Sequence, residues 1–475
     1  MLVKVALLSL AAAPAVADTS IWLIGGGNTL NNSQGQIEAN VRWLEDLLLA
    51  RNLDVRTYFA LGEKPGQDIV YWTAAEDGSV LPYEPLTRIF ADGSAVGLSY
   101  KRHELRAVRG STDKQELIAS LGRDFAALAP GEEPLIVYNG HGGLDRSDPS
   151  DNYLKLWGDQ RLSVSELEGL LDFVPKATPT RFVMTQCFSG AFHALIYDDP
   201  SRATGFHGNR CGFMAESALR EAEGCDLSIN QEEFRDYTTF FFAALSGATR
   251  LGEPLPLAAI DRNKDGAVSY REAHFHALVA AHSSDLSRST SEQYLENWTP
   301  WYLKWDTVTN NTGSIYWSFA QEIADRHAWD PAPANLERLR TEYLAKQRDN
   351  ESHQLVARTE VGDLQQELRA ELTIDWPELA HPYGARFHEI LATVWPAIAT
   401  RLSEDERYLE LADQQRLLRR LEQESLEWTR YLTQIEKIYR LRQLARLEGA
   451  LQRYGNRRAK QEYAELIRCE AGTLK

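Results

Sequence analysis

Short apolar runs alternate with segments of helical periodicity between residues 18 and about 310. The apolar runs end in polar or glycine-containing turns, which is typical of buried strands: 20–24, 135–138 and 182–184. Apolar residues recur at helical spacing in other segments, which predicts helices: 36–50, 112–128 and 163–173. This alternation predicts an α/β fold with a mainly parallel sheet that is covered by helices on both faces.

The pattern changes at about residue 330, where strand-like runs stop and Leu, Glu, Arg and Gln dominate. Leucines recur at helical spacing between residues 409 and 432, with charged residues between them. Residues 330–475 are therefore predicted to form a separate all-α domain, as a helix bundle or a coiled-coil hairpin. The Trp376-Pro377 and His381-Pro382 pairs predict a loop inside it, because proline disfavours helix at the preceding residue.

Residues 1–17 have the features of a signal peptide. Lys4 supplies a positive start, residues 5–13 are mostly apolar, and Ala15-Val16-Ala17 is a cleavage site of small residues. The sequence therefore predicts an exported protein, periplasmic or secreted, whose mature chain begins near Asp18. No later apolar run reaches the roughly 18 residues of a membrane span, so we expect no such span.

The charge balance argues against one class of partner. The 475-residue chain has 68 Asp and Glu residues against 51 Lys and Arg residues, a net charge of −17. Its hydrophobic fraction of 43% is ordinary for a globular protein, and its length favours two domains. Because an acidic surface repels phosphate backbones, we expect no nucleic-acid partner.

Two of the predicted strands end in residues that could act together in catalysis. The second strand continues into a glycine-rich turn that contains His141, and the third into a turn that contains Cys187. The carboxyl ends of neighbouring parallel strands meet at one edge of a sheet, which predicts that these two residues lie side by side. Histidine can activate a thiol and then protonate a leaving amine. The neighbouring Gly142 allows its amide to approach an oxyanion.

The same residues allow other interpretations. An α/β-hydrolase would need a G-x-S-x-G or G-x-C-x-G turn, and none surrounds Cys187. A buried inert cysteine or a structural histidine is common when either occurs alone, but the pairing at two strand ends favours catalysis. A non-catalytic scaffold, whose helical C-terminal domain mediates protein interactions, stays open as the alternative, although neither His141 nor Cys187 is replaced.

These strand ends resemble the catalytic segments of caspases and legumains. Tyr138-Asn139-Gly140-His141-Gly142 is similar to their histidine segment, and Gln186-Cys187-Phe188-Ser189-Gly190 to their cysteine segment, in the same order. The resemblance covers residues 18–310 and departs at Gln186, where the family usually has Ala. It implies a cysteine endopeptidase that cleaves peptide or protein substrates through a thioester at Cys187. His141 would be its acid and base, and it would need no organic cofactor.

The resemblance extends to residues that would support catalysis and select the substrate. Gly27-Asn28 is similar to a legumain segment whose Asn orients the catalytic histidine, which implies that role for Asn28. Residues 214–218 are similar to the strand that lines the specificity pocket, which implies that Glu216 forms one wall, with Gln36 opposite. A carboxylate there would favour Arg or Lys before the cleaved bond, or Asn if the likeness to legumain extends to the pocket.

Residues 261–272 match the twelve-residue calcium-binding loop of an EF-hand. Gly266 is at the sixth position, where such a loop turns sharply. The oxygen ligands would come from six residues: Asp261, Asn263, Asp265, Ala267, Ser269 and Glu272. The sequence therefore predicts one structural Ca²⁺ site, and the single loop argues against a paired calcium sensor. Bacterial proteins of the caspase and legumain group often carry such a loop.

The four cysteines allow one disulfide beside a free nucleophile. Exported chains favour disulfides, and Cys211 and Cys225 are close in sequence, so we expect a Cys211–Cys225 bond and a free Cys187. Cys469 lies in a polar tail and gives no signal. For the C-terminal helices, the sequence leaves autoinhibition, self-association and recruitment of a partner open.

Overall fold

The structure is a computed structural model that describes residues 19–72, 84–91, 97–301, 311–381 and 385–474. The predicted signal peptide, residues 1–17, lies outside the described residues. The strands of the described part, in chain order, are β1 (Thr19–Gly26), β2 (Asp54–Phe59), β3 (Ile69–Trp72), β4 (Leu98–Lys101), β5 (Val108–Gly110), β6 (Glu133–Gly140), β7 (Gly142–Gly143), β8 (Tyr153–Leu156), β9 (Gln160–Ser163), β10 (Thr180–Met184), β11 (Tyr197–Asp199), β12 (Thr204–Phe206), β13 (Arg210–Met214) and β14 (Arg288–Ser289).

Helices connect these strands and make up most of the C-terminal part. The α-helices of the described residues are α1 (Gly35–Leu49), α2 (Glu84–Phe90), α3 (Lys114–Ala126), α4 (Val164–Leu171), α5 (Tyr237–Ser246), α6 (Leu257–Ile260), α7 (Tyr270–Ala280), α8 (Thr290–Trp298), α9 (Ile315–Arg326), α10 (Pro333–Asp375), α11 (Ala385–Glu404), α12 (Glu406–Tyr454) and α13 (Arg457–Glu470). None of these described helices has an apolar stretch long enough to cross a bilayer.

A seven-stranded sheet lies at the centre of the described residues, in the order β14-β13-β10-β6-β1-β2-β5. Neighbouring strands from β13 to β5 are parallel, and β14 runs antiparallel at one edge. Between β6 and β10 the chain passes through α4, as expected for a parallel crossover. The predicted α/β fold with a mainly parallel sheet is confirmed.

The sheet buries apolar side chains on both faces, because successive residues of a strand point to opposite sides. In β1, Ile21 and Leu23 contribute to one core, whereas Trp22 and Ile24 contribute to another. Helices α1, α5 and α7 cover the first face, and α3 and α4 cover the second. A fully buried side chain of this size contributes about 1.5–3 kcal/mol, so both cores hold the strands in register.

Helix starts follow side chains that cap free amides. At α4, Ser163 accepts a hydrogen bond of 3.3 Å from the Glu166 amide, and the Glu166 carboxylate accepts one of 2.9 Å from the Ser163 amide. The helix predicted over 112–128 is α3, which begins at Lys114. Asp113 caps this helix, because the Thr112 hydroxyl instead accepts a bond of 3.4 Å from the Trp157 amide.

The C-terminal helical region is confirmed, and one end of it packs into the α/β part. Helices α10 and α12 are antiparallel, because residues further along α10 contact residues nearer the start of α12. The second half of α12, with α9 and α13, shares one hydrophobic core with α7 and α8. Trp376 ends α10 at the predicted Trp-Pro boundary. The C-terminal helices are therefore continuous in packing with the sheet domain at this end.

The predicted Cys211–Cys225 disulfide is wrong. Cys211 pairs with Cys469, with the two Cα atoms 6.0 Å apart. Cys211 lies near the amino end of β13, and the last turn of α13 packs there. Cys225 lies in the loop beyond the carboxyl end of the same strand, so the strand itself separates the two residues that are close in sequence. The bond joins the C-terminal helices to the sheet.

Candidate active site

The register of two parallel strands brings the predicted catalytic residues to one edge of the sheet. Tyr138 of β6 pairs with Met184 of β10, and the Thr185 amide donates to the Tyr138 carbonyl at 3.1 Å. His141 and Cys187 each follow their strand's paired residue by three positions (141 − 138 and 187 − 184). The two motifs therefore leave the sheet next to each other, as the sequence predicts.

The two motifs are in direct contact through a glycine. A Cβ atom placed on Gly142 would lie 2.0 Å from the carbonyl oxygen of Cys187 and 2.7 Å from Cγ of Gln186. No side chain fits in that space, so only glycine allows the histidine turn and the cysteine turn to approach this closely. Gly143 is equally constrained, because a Cβ there would lie 2.2 Å from the ring of Tyr153.

His141 is held by neutral hydrogen-bond partners. Its Nε2 lies 2.7 Å from Oε1 of Gln34, and its carbonyl oxygen accepts a bond of 2.9 Å from the Tyr138 hydroxyl. Burial, together with the charge of Lys155, lowers the pKa of His141 to about 4. The imidazole is therefore uncharged at neutral pH and can accept a proton.

The prediction that Asn28 orients the histidine is wrong, and Gln34 contacts the ring instead. The Asn28 side chain donates to Asp159 at 2.8 Å and accepts from Asn32 at 3.3 Å. A one-turn 3-10 helix, Leu30–Asn32, folds the chain so that Gln34 at the start of α1 reaches His141. This turn packs so closely that a Cβ on Gly27 would meet the Asn32 carbonyl. No short-range signal in the sequence identifies Gln34.

Cys187 is a free, half-buried thiol that contacts a neighbouring main chain. Its sulfur lies 3.4 Å from the amide nitrogen of Ala222 and 3.8 Å from the Ala222 carbonyl oxygen. Burial raises the pKa of the Cys187 thiol, and the charges of Glu221 and Asp285 raise it further against the Ala222 hydrogen bond. The thiol is therefore protonated at neutral pH in this state.

The residue after Cys187 has an unusual backbone. Phe188 has φ of 60°, a left-handed conformation that bulky residues rarely adopt. Its amide donates to the Arg220 carbonyl at 2.8 Å, in the loop that also contacts the sulfur. Strained backbone of this kind concentrates at functional sites, where the surrounding structure maintains it. Here the strain turns the chain sharply at Cys187 and into the 3-10 helix Ser189–Ile196.

The imidazole and the thiol do not share a hydrogen bond in the described residues. His141 is bonded to Gln34, whereas Cys187 faces Ala222. Ala222 belongs to a segment between β13 and the next 3-10 helix, residues 217–230, which we call the covering loop. The structure therefore represents a closed state, in which main chain of the protein itself occupies the space next to the candidate nucleophile.

Helix α12 holds the covering loop in place by ion pairs. Arg430 donates two hydrogen bonds to the Glu223 carboxylate, at 3.1 and 2.8 Å, and both side chains are largely buried. Arg220 pairs with Glu436 and also donates to the Thr433 hydroxyl at 3.3 Å. These α12 residues lie far from the loop in sequence, and no local pattern predicts the contact.

Charged groups are buried beneath this contact. The Asp285 carboxylate accepts bonds from the amides of Glu223 at 2.7 Å and Tyr237 at 3.1 Å. Burial raises the pKa of Asp285 well above its ordinary value, and the neighbouring Glu223 adds to the effect. Burial likewise lowers the pKa of Lys437 on α12 to about 8, although Asp285 attracts its charge. The closed loop therefore covers a cluster of poorly solvated charges.

In the described part of the chain, Glu216 and Gln36 do not form the predicted specificity pocket. Glu216 is fully buried beyond the end of β13, where its carboxylate accepts from the amides of Ser217 at 2.6 Å and Leu286 at 2.9 Å. Gln36 is also buried and bonds to Asp236 and to the main chain at Asp226. A cleft beside the covering loop is lined by Gln36 but not by Glu216. The two residues do not form opposite walls, so the expected preference for Arg or Lys loses its basis.

The predicted calcium loop has the turn that its sequence requires. Gly266 has φ of 87°, a conformation that glycine adopts freely. The Asp261 carboxylate accepts from the amides of Asp265 at 3.2 Å and Gly266 at 2.9 Å. Glu272 similarly accepts from two amides near the start of the loop, at 2.8 and 3.2 Å. The oxygen donors suit Ca²⁺ chemically, but in this arrangement they bind the loop's own main chain.

A second group of acidic residues is a weaker candidate for a metal site than the predicted calcium loop. Among the described residues, one group of three acidic side chains has oxygens within 4.8 Å of one another: Glu168, Asp172 and Asp198. The described carboxylates of the calcium loop form no such group. Asp172 and Asp198 are exposed, and Glu168 already pairs with Arg210 at 3.0 Å. This acidic group therefore has a structural explanation, and the loop carboxylates would have to turn inward to bind a metal.

No protein-family model matches the chain, and no curated protein matches it in sequence. Among solved structures, the chain is similar to the crystal structure of protein GSU0716 from Geobacter sulfurreducens, at 13% identity and a TM-score of 0.32. The match covers 57% of this chain and 92% of that chain. So low a TM-score carries no argument about function, and the candidate site rests on its own geometry.

Proposed function

We propose that this protein is a cysteine endopeptidase of the caspase and legumain type, with Cys187 as nucleophile and His141 as acid and base. One observation carries the proposal: the close approach of Gly142 to the Cys187 carbonyl joins the histidine turn to the cysteine turn at one sheet edge. An inert cysteine and a structural histidine would not require this contact. The neutral imidazole and the half-buried free thiol are the groups that the reaction needs.

The reaction begins when the Cys187 thiol gives its proton to His141 and the sulfur attacks the substrate carbonyl carbon. The C–N bond then breaks, His141 gives the proton to the leaving amine, and a thioester remains on Cys187. Water, deprotonated by His141, hydrolyses the thioester and restores the thiol. The main-chain amides of Gly142 and Cys187 are our candidates for the donors to the oxyanion. Gln34 acts as the positioning residue for the imidazole.

A closed covering loop requires an activation step. Substrate cannot reach Cys187 while the Ala222 main chain lies 3.4 Å from the sulfur. The loop is bonded to α12 through Glu223 and Arg430, so we propose that the C-terminal helices inhibit the enzyme by holding the loop closed. Opening would expose Cys187 to water and to the imidazole. Both changes favour the thiolate, because they remove the burial that raises the thiol pKa.

A thiol-directed probe tests the proposal. Purified protein is treated with a peptidyl acyloxymethyl ketone, which reacts with cysteine peptidases, and hydrolysis of a fluorogenic peptide library is followed in parallel. We expect labelling and hydrolysis in Arg430→Ala, in which the covering loop is held less firmly, and loss of both, by several orders of magnitude, when Cys187→Ala is added to it. Cys225→Ala in the same background is the matched control and should keep both. Hydrolysis that survives Cys187→Ala would refute the mechanism.

The alternative is a non-catalytic scaffold, and the covered thiol is the observation that favours it. A scaffold would retain the closed loop permanently and would use the exposed surface of α10 and α12 for binding. Variants that weaken the Glu223–Arg430 pair separate the two functions. Loss of the pair should create or increase peptidase activity in a latent enzyme, and it should leave a scaffold inactive.

We further propose that residues 261–272 bind one structural Ca²⁺. The ligands would be the oxygens of the six residues that the sequence predicts: Asp261, Asn263, Asp265, Ala267, Ser269 and Glu272. The loop has the tight turn of this motif, and Glu272 caps α7 at the position where the motif has its bidentate ligand. Binding would draw the carboxylates away from the loop amides and would stabilise the start of α7.

Export is proposed for the same protein. Disulfides persist in oxidising compartments, and the Cys211–Cys469 bond is consistent with such a location. The bond would keep the C-terminal helices attached to the sheet outside the cytoplasm. N-terminal sequencing of the mature chain, with a start near Asp18 expected, tests the predicted cleavage site.

A further inference from the structure

Two thiols remain free beside the Cys211–Cys469 bond, one in the candidate active site and the other in the covering loop. Cys187 is the proposed nucleophile. Cys225 lies in the covering loop, three residues after Ala222 (225 − 222), and Ala222 is the residue that contacts the Cys187 sulfur. The proposed peptide hydrolysis uses only the first of these thiols, so the second has no role in it.

The covering loop places Cys225 where it can be approached from solvent. A cleft of about 240 Å³ is lined by Ala222, Gly224 and Cys225 on one side and by Gln36 on another. Cys225 is half-buried, as Cys187 is. The cleft is lined both by Cys225 and by Ala222, the residue whose main chain contacts the Cys187 sulfur.

The segment of the covering loop between Ala222 and Cys225 contains a glycine. Gly224 has φ of 120°, a conformation that residues with side chains rarely adopt. Glycine has the widest conformational range, so the backbone next to Cys225 can rotate at this position. Cys225 follows the Cys187 contact at Ala222 by three residues, and it is near enough to Cys187 that a charge on Cys187 raises the Cys225 pKa.

We infer that Cys225 is a resolving cysteine for Cys187, and that the two thiols form a reversible disulfide in oxidising surroundings. The oxidant is a small-molecule disulfide of the glutathione or cystine class. Formation of the bond does not depend on peptide hydrolysis. Its consequence, a reversible block of the nucleophile, rests on the proposed function.

The exchange balances in two steps. The Cys187 thiolate attacks one sulfur of the small disulfide, the S–S bond breaks, and one small thiolate leaves, which takes up a proton from water. A mixed disulfide remains on Cys187. The Cys225 thiolate then attacks the Cys187 sulfur and releases the second small thiol. Two protein thiols have been oxidised, and one small disulfide has been reduced to two thiols.

The surroundings favour the bonded form. Burial raises the pKa of Cys225 well above its ordinary value, and a charge on Cys187 and the carboxylate of Asp236 raise it further. Burial also raises the pKa of the Cys187 thiol. A dithiol whose thiolates are stabilised is a strong oxidant when bonded, so a pair whose thiolates are destabilised forms a disulfide that resists reduction. The same raised pKa values slow the exchange and make it dependent on loop movement.

Peptide mapping in glutathione buffers tests the inference. The full-length protein is equilibrated across a series of reduced-to-oxidised glutathione ratios, quenched in acid, alkylated and digested. We expect a peptide that joins Cys187 to Cys225, whose yield rises with the oxidised fraction, while the Cys211–Cys469 bond stays intact. In Cys225→Ser, Cys187 should instead carry glutathione.

Several results would overturn the inference. One is that Cys187 of the wild type accumulates glutathione to the same extent as in Cys225→Ser. Another is that both thiols stay free under every oxidising ratio. If Cys225→Ser does not fold, as judged by its melting curve, the wild-type map alone decides between the linked peptide and these outcomes.

The same experiment distinguishes this inference from the proposed function. If the protein hydrolyses peptides, the activity should be lost on oxidation and should return when the glutathione is reduced, and Cys225→Ser should recover from glutathionylation without forming the linked peptide. If the linked peptide forms but no condition gives hydrolysis, the proposed function fails and the redox pair stands. If hydrolysis occurs but no linked peptide forms, the redox pair fails and the peptidase stands.

Discussion

The two halves of α12 have similar compositions but very different surroundings. Before residue 433, its buried positions are few: Leu411, Ala412, Gln415 and Leu421. From Thr433 to Leu451, apolar and charged residues alike are buried against the α/β part. The first half instead packs along α10 and exposes apolar residues such as Leu409 and Leu426. The first half of α12 therefore forms a partly solvated pair with α10, whereas the second half is part of the hydrophobic core.

The charges show the difference most clearly. Arg440, in the buried half, donates to Glu292 at 2.9 Å and to Glu296 at 2.8 Å. Burial alone would raise the pKa of Glu292, but Arg440 and His274 lower it to about 2. Arg416, in the first half, pairs with Asp413 in solvent, with both side chains more than half exposed. Paired charges, as well as apolar residues, therefore pack the second half of α12 against the α/β part.

The largest expected effect tests the buried half. Arg440→Met removes one partner of a desolvated ion pair and leaves Glu292 without its main cation, which should cost about 3–5 kcal/mol of unfolding free energy. Arg416→Met on the same helix is the control and should change it by less than about 0.5 kcal/mol, because surface pairs contribute little. Urea unfolding measures both. Equal effects would show that the two halves are not energetically distinct.

Calcium should stabilise the part of the molecule in which the predicted calcium loop contacts the C-terminal tail. The end of the predicted calcium loop pairs with the C-terminal tail, since the Tyr270 amide donates to the Gly472 carbonyl at 2.9 Å. Binding to the folded state alone adds about 2.7 kcal/mol when calcium is at a hundredfold excess over its Kd. The melting temperature of metal-stripped protein should therefore rise with calcium. Asp261→Ala with Glu272→Ala should abolish this rise, and a rise that persists in that variant would assign the effect to another site.

The boundary between the two halves is where α12 holds the covering loop. Arg430→Ala removes two charged hydrogen bonds to Glu223, worth about 1.5–3 kcal/mol, so the open loop should become about tenfold to a hundredfold more populated. The rate at which iodoacetamide alkylates Cys187 in reducing buffer should increase by the same factor, with Arg416→Ala as the control. An unchanged rate would show that α12 does not control the loop.

The smallest effect concerns pH. The pKa of the Cys187 thiol is raised and that of His141 is lowered to about 4, so neither group is charged at neutral pH in the closed state. The alkylation rate should therefore rise about tenfold per pH unit from pH 7 to 9, without an acidic plateau. In Arg430→Ala the rise should level off at a lower pH, because opening reduces burial and lowers the thiol pKa. A plateau in the wild type below pH 7 would indicate a preformed thiolate–imidazolium pair instead.

The elements of the sheet domain could be predicted because their signals are local. The expected helix at 36–50 is α1, Gly35–Leu49, and the expected helix at 163–173 is α4, capped by Ser163. The apolar strands that end in His141 and Cys187 are neighbours, as their order and single crossover helix predict. Periodicity, caps and strand ends each depend on a few adjacent residues, and therefore survive in the sequence alone.

The predictions that fail each require a contact between distant residues. Asn28 was expected at the histidine, yet the turn at Leu30–Asn32 brings Gln34 there. The disulfide depends on where α13 packs, since Cys469 reaches the amino end of β13 while Cys225 lies beyond its carboxyl end. Proximity along the chain favours the wrong partner, because a strand extends about 3.3 Å per residue and carries neighbours in sequence apart.

The sequence by itself determined the parallel α/β sheet and the adjacent positions of the His141 and Cys187 turns at its edge, because strand order and strand ends specify both. Only the tertiary structure decided that the covering loop contacts Cys187, that Arg430 is bonded to this loop, and that Glu216 is fully buried. These features arise from side chains on α12 and the covering loop that meet after the whole chain has packed. Their pairing depends on burial and charge in three dimensions, which no stretch of neighbouring residues records.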